Sequence, residues 1–254
     1  MLHIRHFGTG PQLVALHGFS QTGEIFRASA RPLGRTVLAI DLPGHGESHS
    51  EPTDIDGVVN GVGAILAGLN EPVPLLGYSQ GARVALLAAL GDPSCITRLV
   101  LVGGTAGIRD AARRVERLKR DTELGERIDN IGVEAFIKEW TSIGITSLDR
   151  LTPEARAHDL GMRLANSGAG LRAALVGFGQ GAQPSVWNQL DTLTVPVLLM
   201  VGEDDDTYRD INVQMSKQIE RAEIVVVPGS GHNPLTDNPE FSFSTISDFL
   251  DRTG

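Results

Sequence analysis

Leu75-Leu76-Gly77-Tyr78-Ser79-Gln80-Gly81-Ala82-Arg83 reads as a strand that stops abruptly at a serine and becomes a helix. Leu75 and Leu76 end a short apolar run that starts at Val73, and Val84 to Leu90 is a run of good helix formers. Between them lies Gly-x-Ser-x-Gly, at Gly77, Ser79 and Gly81. A serine on so tight a turn needs neighbours without Cβ atoms two residues to either side. The turn lifts the hydroxyl clear of the sheet, and the helix N-terminus behind it favours developing negative charge. In a chain with 30 glycines the motif is weak alone, and the flanking strand and helix give it weight. The competing reading is an ordinary strand–turn–helix with an incidental serine.

The chain's 254 residues suit one large domain or a domain with an insertion. A net charge of −9 argues against non-specific binding to nucleic acid. Cys95 is the only cysteine, so neither a disulfide framework nor a cysteine metal site is expected. Met1-Leu2-His3-Ile4-Arg5-His6 reads as neither a signal peptide nor an anchor, and no apolar run approaches a membrane span. The cytoplasm is therefore the default expectation, and association as a monomer or a homo-oligomer stays open.

Around the central strand the first half alternates β-like runs with helical segments. Leu2 to Phe7, Gln12 to Leu16, Thr36 to Ile40 and Arg98 to Val102 are strand patterns, and Ile55 to Leu69 is helical despite four glycines. The pattern resumes late, with strands at Val195 to Val201 and Glu223 to Val227 and helices at Thr207 to Ile219 and Pro239 to Leu250. Continuous apolar strands alternating with helices predict an α/β fold with a mostly parallel sheet covered on both faces. From residue 105 to 190 there are no convincing strands. Helical patterns run over Ala111 to Ile128, Val133 to Thr141, Pro153 to Asn166 and Leu171 to Gly179. The expected organisation is a core of residues 1–104 and 191–254 carrying a helical cap of residues 105–190.

A serine hydroxyl needs a base, usually histidine, and the histidine needs a carboxylate to fix its tautomer. Of seven histidines, His232 stands out because it follows the last strand on a Gly-rich loop, Pro228-Gly229-Ser230-Gly231-His232. The candidate acids follow the strand before, in Gly202-Glu203-Asp204-Asp205-Asp206, and spacing alone does not choose among them. The order serine, acid, histidine, each just beyond a strand, matches the requirement that open α/β sheets place sites at strand carboxyl ends. His17-Gly18-Phe19 follows the strand Gln12 to Leu16, so the backbone N–H groups of Phe19 and Gln80 are candidates to hold an oxyanion. His17 is read as packing under that loop. Asp41-Leu42-Pro43-Gly44-His45-Gly46-Glu47-Ser48 is read as a brace without a catalytic role.

Taken together, these motifs resemble the α/β-hydrolase fold over essentially the whole chain. Within it the chain resembles the 2-succinyl-6-hydroxy-2,4-cyclohexadiene-1-carboxylate synthases of menaquinone biosynthesis. The likeness rests on Leu16-His17-Gly18-Phe19-Ser20, Gly77-Tyr78-Ser79-x-Gly81-x-Arg83 and Gly107-Ile108-Arg109. Further matches are Phe136-x-x-x-Trp140, Arg163-Leu164-Ala165-Asn166, Gly181-x-Gln183-Pro184-Ser185-x-Trp187 and Gly231-His232-Asn233. Registering Gly202-Glu203-Asp204-Asp205 on the family's Gly-Glu-x-Asp selects Asp205 as the acid, with Asp204 and Asp206 as alternatives. The resemblance implies a lyase: a proton is abstracted from a cyclohexene and pyruvate is expelled, without metal or organic cofactor.

Such a substrate is a small polycarboxylate, which arginines bind well. Arg83 lies one helical turn beyond Ser79 on the same face. The stretch from Arg109 to Arg127 holds seven basic residues among five acids, and most of it reads as a solvated helix with i,i+4 pairs. Family register points to Arg117 as the inward cation there, with Arg163 as a second cap candidate. Tyr78 and Trp140 complete the implied substrate contacts, and Phe136 and Trp187 are further aromatic candidates. The sequence departs from the family at Gln80, Ala82 and Tyr208, where the family pattern has Met or Leu, Gly and Phe. The alternative is a carboxylic-ester hydrolase with Ser79 as nucleophile, for which the arginines would have no use.

Overall fold

The computed structural model describes residues 1–49, 51 and 53–252. Seven strands form one sheet: β1 (Ile4–Phe7), β2 (Gln12–Leu16), β3 (Thr36–Ile40), β4 (Val73–Tyr78), β5 (Ile96–Val102), β6 (Val197–Gly202) and β7 (Ala222–Val227). Their order is β1-β3-β2-β4-β5-β6-β7, and all pairs are parallel except the edge pair of β1 with β3. β5 begins earlier than the sequence suggests, because Ile96 pairs with Val73 before a register shift in β4.

Alternation along the buried strands divides the interior in two. Leu75, Leu99, Leu101, Val197 and Leu199 point to one face, under α2 (Ile55–Ala67), α3 (Gln80–Gly91) and α7 (Asp206–Ser216). Leu76, Val100, Val102, Leu198 and Met200 point to the other, under α1 (Ala30–Leu33), α8 (Pro234–Asp237) and α9 (Pro239–Asp251). Both faces are covered, which is why these strands carry unbroken apolar runs.

Between β5 and β6 come α4 (Ala111–Trp140), α5 (Pro153–Leu164) and α6 (Gly168–Phe178), with no strand among the described residues. α4 is two helical pieces broken at Gly132, whose φ of 80° lies in the left-handed region, so the two helices read from sequence are separate where expected. Arg127 closes the break with a bidentate pair to Glu139 at 2.7 and 2.8 Å. Ile128, Phe136, Ile137, Leu171 and Leu175 form the cap's own small core. The stretch Val186–Leu193 instead packs into the main core. No helix among the described residues is long and apolar enough to cross a membrane.

Candidate active site

Ser79 occupies the turn between β4 and α3 with φ 51° and ψ −107°, a conformation rare for a residue with a Cβ. The flanking glycines are required by contact. A Cβ on Gly77 would lie 2.4 Å from the Gly81 carbonyl oxygen, and one on Gly81 would lie 2.2 Å from that of Leu16. The Ser79 N–H donates to Val102 O at 2.8 Å, tying the turn to β5.

Ser79 Oγ is 2.9 Å from Nε2 of His232, and His232 Nδ1 is 2.5 Å from Oδ2 of Asp205. With Nδ1–H donating to the carboxylate, Nε2 is left as the acceptor for the serine proton. Asp205 is buried and caps α7, its Oδ1 accepting the Tyr208 N–H at 3.3 Å. The neighbouring acids point elsewhere: Asp204 pairs with Arg150 at 2.8 Å, and Asp206 pairs with Arg209. The Tyr208 ring packs 4.3 Å from the His232 ring, and Tyr78 lies 5.7 Å from it on another side.

Phe19 follows β2 and Gln80 opens α3, and neither backbone N–H has a hydrogen-bond partner among the described residues. The Phe19 loop is held from below. His17 Nε2 accepts the Leu42 N–H at 2.9 Å while its Nδ1–H donates to Gly18 O at 2.8 Å. His45 accepts the Ser20 N–H at 3.2 Å and donates to Pro43 O. Burial lowers His17 to about 4 and His45 to about 3, so both are neutral supports at neutral pH. Asp41 accepts N–H bonds from Gly23 and Glu47 and a bidentate pair from Arg5. Burial would raise its pKa, and these bonds outweigh burial to hold it below the usual range. The brace read from the Asp41 motif is thus physical.

The arginines differ in how the fold employs them. Arg83 is buried, lines the cavity above Ser79, and makes one long bond, 3.4 Å, to Phe178 O. No carboxylate pairs with it among the described residues, and burial lowers its pKa to about 10. Arg117 lines the same cavity but is paired with buried Asp121 at 2.8 Å and bonded to Gln180. Arg163 also borders the cavity, with its guanidinium held by Asp159, Ser20 Oγ and Phe19 O. It therefore fixes the Phe19 loop from the cap side. Trp140 lines the cavity against the Phe19 ring, 5.2 Å away. Phe136 is sealed in the cap core, and Trp187 sits in the main core, donating to Gly107 O at 2.7 Å. The cavity encloses about 1000 Å³, counting the part open to solvent.

The alpha/beta hydrolase family matches residues 13–243. The chain belongs to that family. A Bacillus subtilis (strain 168) protein provisionally named 2-succinyl-6-hydroxy-2,4-cyclohexadiene-1-carboxylate synthase is 34% identical, over 94% of this chain and 89% of its own. A protein of Escherichia coli O7:K1 with that name is 30% identical over 94% of each chain. The solved structure of MenH from S. aureus superposes with a TM-score of 0.92 at 28% identity, covering 98% of both chains.

Several parts of this hydrolase-fold site were given no role in the reading of the sequence. Asn166 ties the cap to the loop after β2 and to the Asp41 loop, its Nδ2 donating to Ser20 O at 2.7 Å and its Oδ1 accepting the Gly46 N–H at 2.8 Å. Asp121 and Asp159 are the buried partners of the two cap arginines, each four residues away on the same helix. That i,i+4 spacing was the available signal. Arg150 donates to Gly229 O and Asp204 beside the His232 loop, from a segment with no pattern to announce it.

Proposed function

We propose that this chain eliminates pyruvate from 2-succinyl-5-enolpyruvyl-6-hydroxy-3-cyclohexene-1-carboxylate, giving 2-succinyl-6-hydroxy-2,4-cyclohexadiene-1-carboxylate. The observation that carries the reading is Arg83: a buried guanidinium that no carboxylate among the described residues pairs with, one helical turn from the reactive serine. An uncompensated buried cation is costly, and a carboxylate-bearing substrate supplies the missing charge. The names carried by the relatives at 30% identity and above support the same chemistry.

In this reading Ser79 acts as a base. His232 Nε2 takes the hydroxyl proton while Oγ takes a ring proton from the substrate. The C–H electron pair moves into the ring to complete the diene, and the bond between the ring carbon and the enolpyruvyl oxygen breaks. Pyruvate leaves as its enolate and is protonated by the imidazolium, which restores His232. Asp205 stabilises the imidazolium between the two transfers. The Phe19 and Gln80 N–H groups hold charge that develops on the substrate's oxygen atoms, and Arg83 holds a carboxylate, with Arg117, Tyr78 and Trp140 around the rest. The partner is a small polycarboxylate, and the proposed workplace is the cytoplasm.

An elbow serine with free N–H donors also suits ester hydrolysis, so the test measures both. Purified protein is given the enolpyruvyl precursor, and pyruvate is followed against the spontaneous background, with a p-nitrophenyl ester in parallel. Fast pyruvate release with negligible ester cleavage supports the lyase. Ester cleavage with pyruvate at background overturns it in favour of the hydrolase.

A further inference from the structure

We infer that the Tyr208 hydroxyl donates a hydrogen bond to the substrate carboxylate that Arg83 holds, and so helps select acidic substrates. The inference rests on the carboxylate-binding reading of Arg83. Tyr208 is in the first turn of α7, three residues after Asp205, and its N–H is fixed by that carboxylate. Its ring is fixed as well, tilted 50° against His232 at 4.3 Å. Backbone and ring therefore leave the phenol little freedom, and the hydroxyl position is set before any ligand arrives.

The hydroxyl has no hydrogen-bond partner among the described residues. It is also not one of the sealed, unpartnered polar atoms, which include Gln80 Oε1 and Asn233 Oδ1. The residue lines the cavity of Ser79 and Arg83, and that cavity is the space assigned to the hydroxyl. The hydroxyl lies within electrostatic reach of Arg83 and Arg117, and of Asp205 and Asp121, which are themselves paired with His232 and Arg117; burial raises its pKa, so it stays a protonated donor. A guanidinium has donors only. The phenol oxygen does not accept from Arg83, whose one bond goes to Phe178 O. Two donor groups facing one space are satisfied together by an acceptor with two oxygens, which is a carboxylate.

The contrasting role is structural, with the ring only buttressing His232. Tyr208→Phe separates the two, because it keeps the ring and removes the oxygen. Steady-state kinetics on the precursor and titration with succinate as a simple dicarboxylate probe are measured in the wild type and in Arg83→Ala. In Tyr208→Phe, KM is expected to rise about tenfold and succinate affinity to fall by a similar factor. The turnover number should stay within about twofold, with an unchanged pH profile. In the Arg83→Ala background the same substitution should change succinate affinity less than about twofold, because the shared carboxylate is already lost. Unchanged succinate affinity in Tyr208→Phe overturns the inference. So does an equal loss in both backgrounds, or a wild type that fails to bind succinate. If succinate behaves as expected but no pyruvate is released by the wild type, the lyase reading fails and the tyrosine assignment stands.

Discussion

Replacing Arg83 by Met separates what this residue does for the fold from what it does for the substrate. Burial brings the guanidinium from the ordinary arginine range down to about 10. Each unit corresponds to about 1.4 kcal/mol, so holding the charge in place costs roughly 3 kcal/mol. The sign follows from linkage. At pH 7 the group is charged in both folded and unfolded chains, so the whole penalty is present, and it is relieved only as pH rises from about 10 towards the ordinary arginine range. Met has a similar length and no charge. It forfeits one long bond to Phe178 O, worth about 1 kcal/mol at most. Arg83→Met should therefore raise the unfolding free energy by about 1–3 kcal/mol, read by urea denaturation at pH 7. Catalysis should move the other way. Losing a charge-assisted contact to the substrate costs about 1.5–3 kcal/mol, so kcat/KM for pyruvate release should drop roughly 10- to 100-fold. Hydrolysis of a neutral p-nitrophenyl ester, where measurable, should not fall with it. A variant that is less stable and just as active would refute the reasoning at both steps.

Ser79→Ala should lower pyruvate release on the order of 10³-fold or more, because in the proposed mechanism the serine acts as a unit with the His232 and Asp205 side chains hydrogen-bonded in line with it. Retention of most activity would remove Ser79 as the base. Arg163→Ala leaves the buried Asp159 charge with only the 3.3 Å bond from Gln21 Nε2, removes the partner of Ser20 Oγ and Phe19 O, and should destabilise the protein by about 3–5 kcal/mol. A loss under about 1 kcal/mol in urea denaturation would show that the pair is not held as described. His17 and His45 are lowered by burial to about 4 and about 3, against an ordinary 6.5. Between those values the unfolded chain binds more protons, so stability should fall as pH drops from about 6.5 towards 4. The lowered Asp41 adds loss at the acid end of that range. Equal unfolding free energies at pH 7 and pH 4.5 would contradict both histidine assignments.

What sequence made legible here was what the backbone imposes locally. Gly77, Ser79 and Gly81 can sit where they do only on a strand-to-helix turn, so the fold could be read outward from them. The strands from β2 to β6 were visible because burial on both faces demands apolar runs, while β7, at the sheet edge and only partly buried, showed through its β-branched residues. The helix break at Gly132 also showed as a gap between two helical patterns. Choosing among Asp204, Asp205 and Asp206 was beyond spacing, since it depends on which side chain of a short loop turns inward. The structure turns Asp205 inward and leaves Asp204 with Arg150. The cap arginines were opaque for a similar reason. Arg117 and Arg163 carry acids four residues away, and a solvated i,i+4 pair looks the same in sequence as the buried Arg163–Asp159 pair. Trp187 illustrates the opposite hazard, because an aromatic residue in a family motif turned out to serve the core.

Under the proposed function, the pairing state of these cations is what would set elimination apart from hydrolysis on one fold. Arg163 is neutralised by Asp159, and Arg117 by Asp121, so neither adds much net charge to the cavity. Arg83 is the cation left without a carboxylate among the described residues lining it, and it stands one turn from Ser79. The chain as a whole carries a net charge of −9, which repels a polyanion at long range. A focused positive charge at the serine therefore has to overcome that repulsion, and in a low-dielectric pocket it can, because screening there is weak. Its position also decides which atom meets the base. A carboxylate seated on Arg83 brings the carbon framework beside it towards Ser79 Oγ, so an adjacent C–H, rather than an acyl carbon, becomes the group in reach. With a neutral ester nothing anchors the substrate in that register, and the same serine faces a carbonyl. On this argument the choice between elimination and hydrolysis lies in the seat of the substrate's charge, with Ser79, His232 and Asp205 common to both.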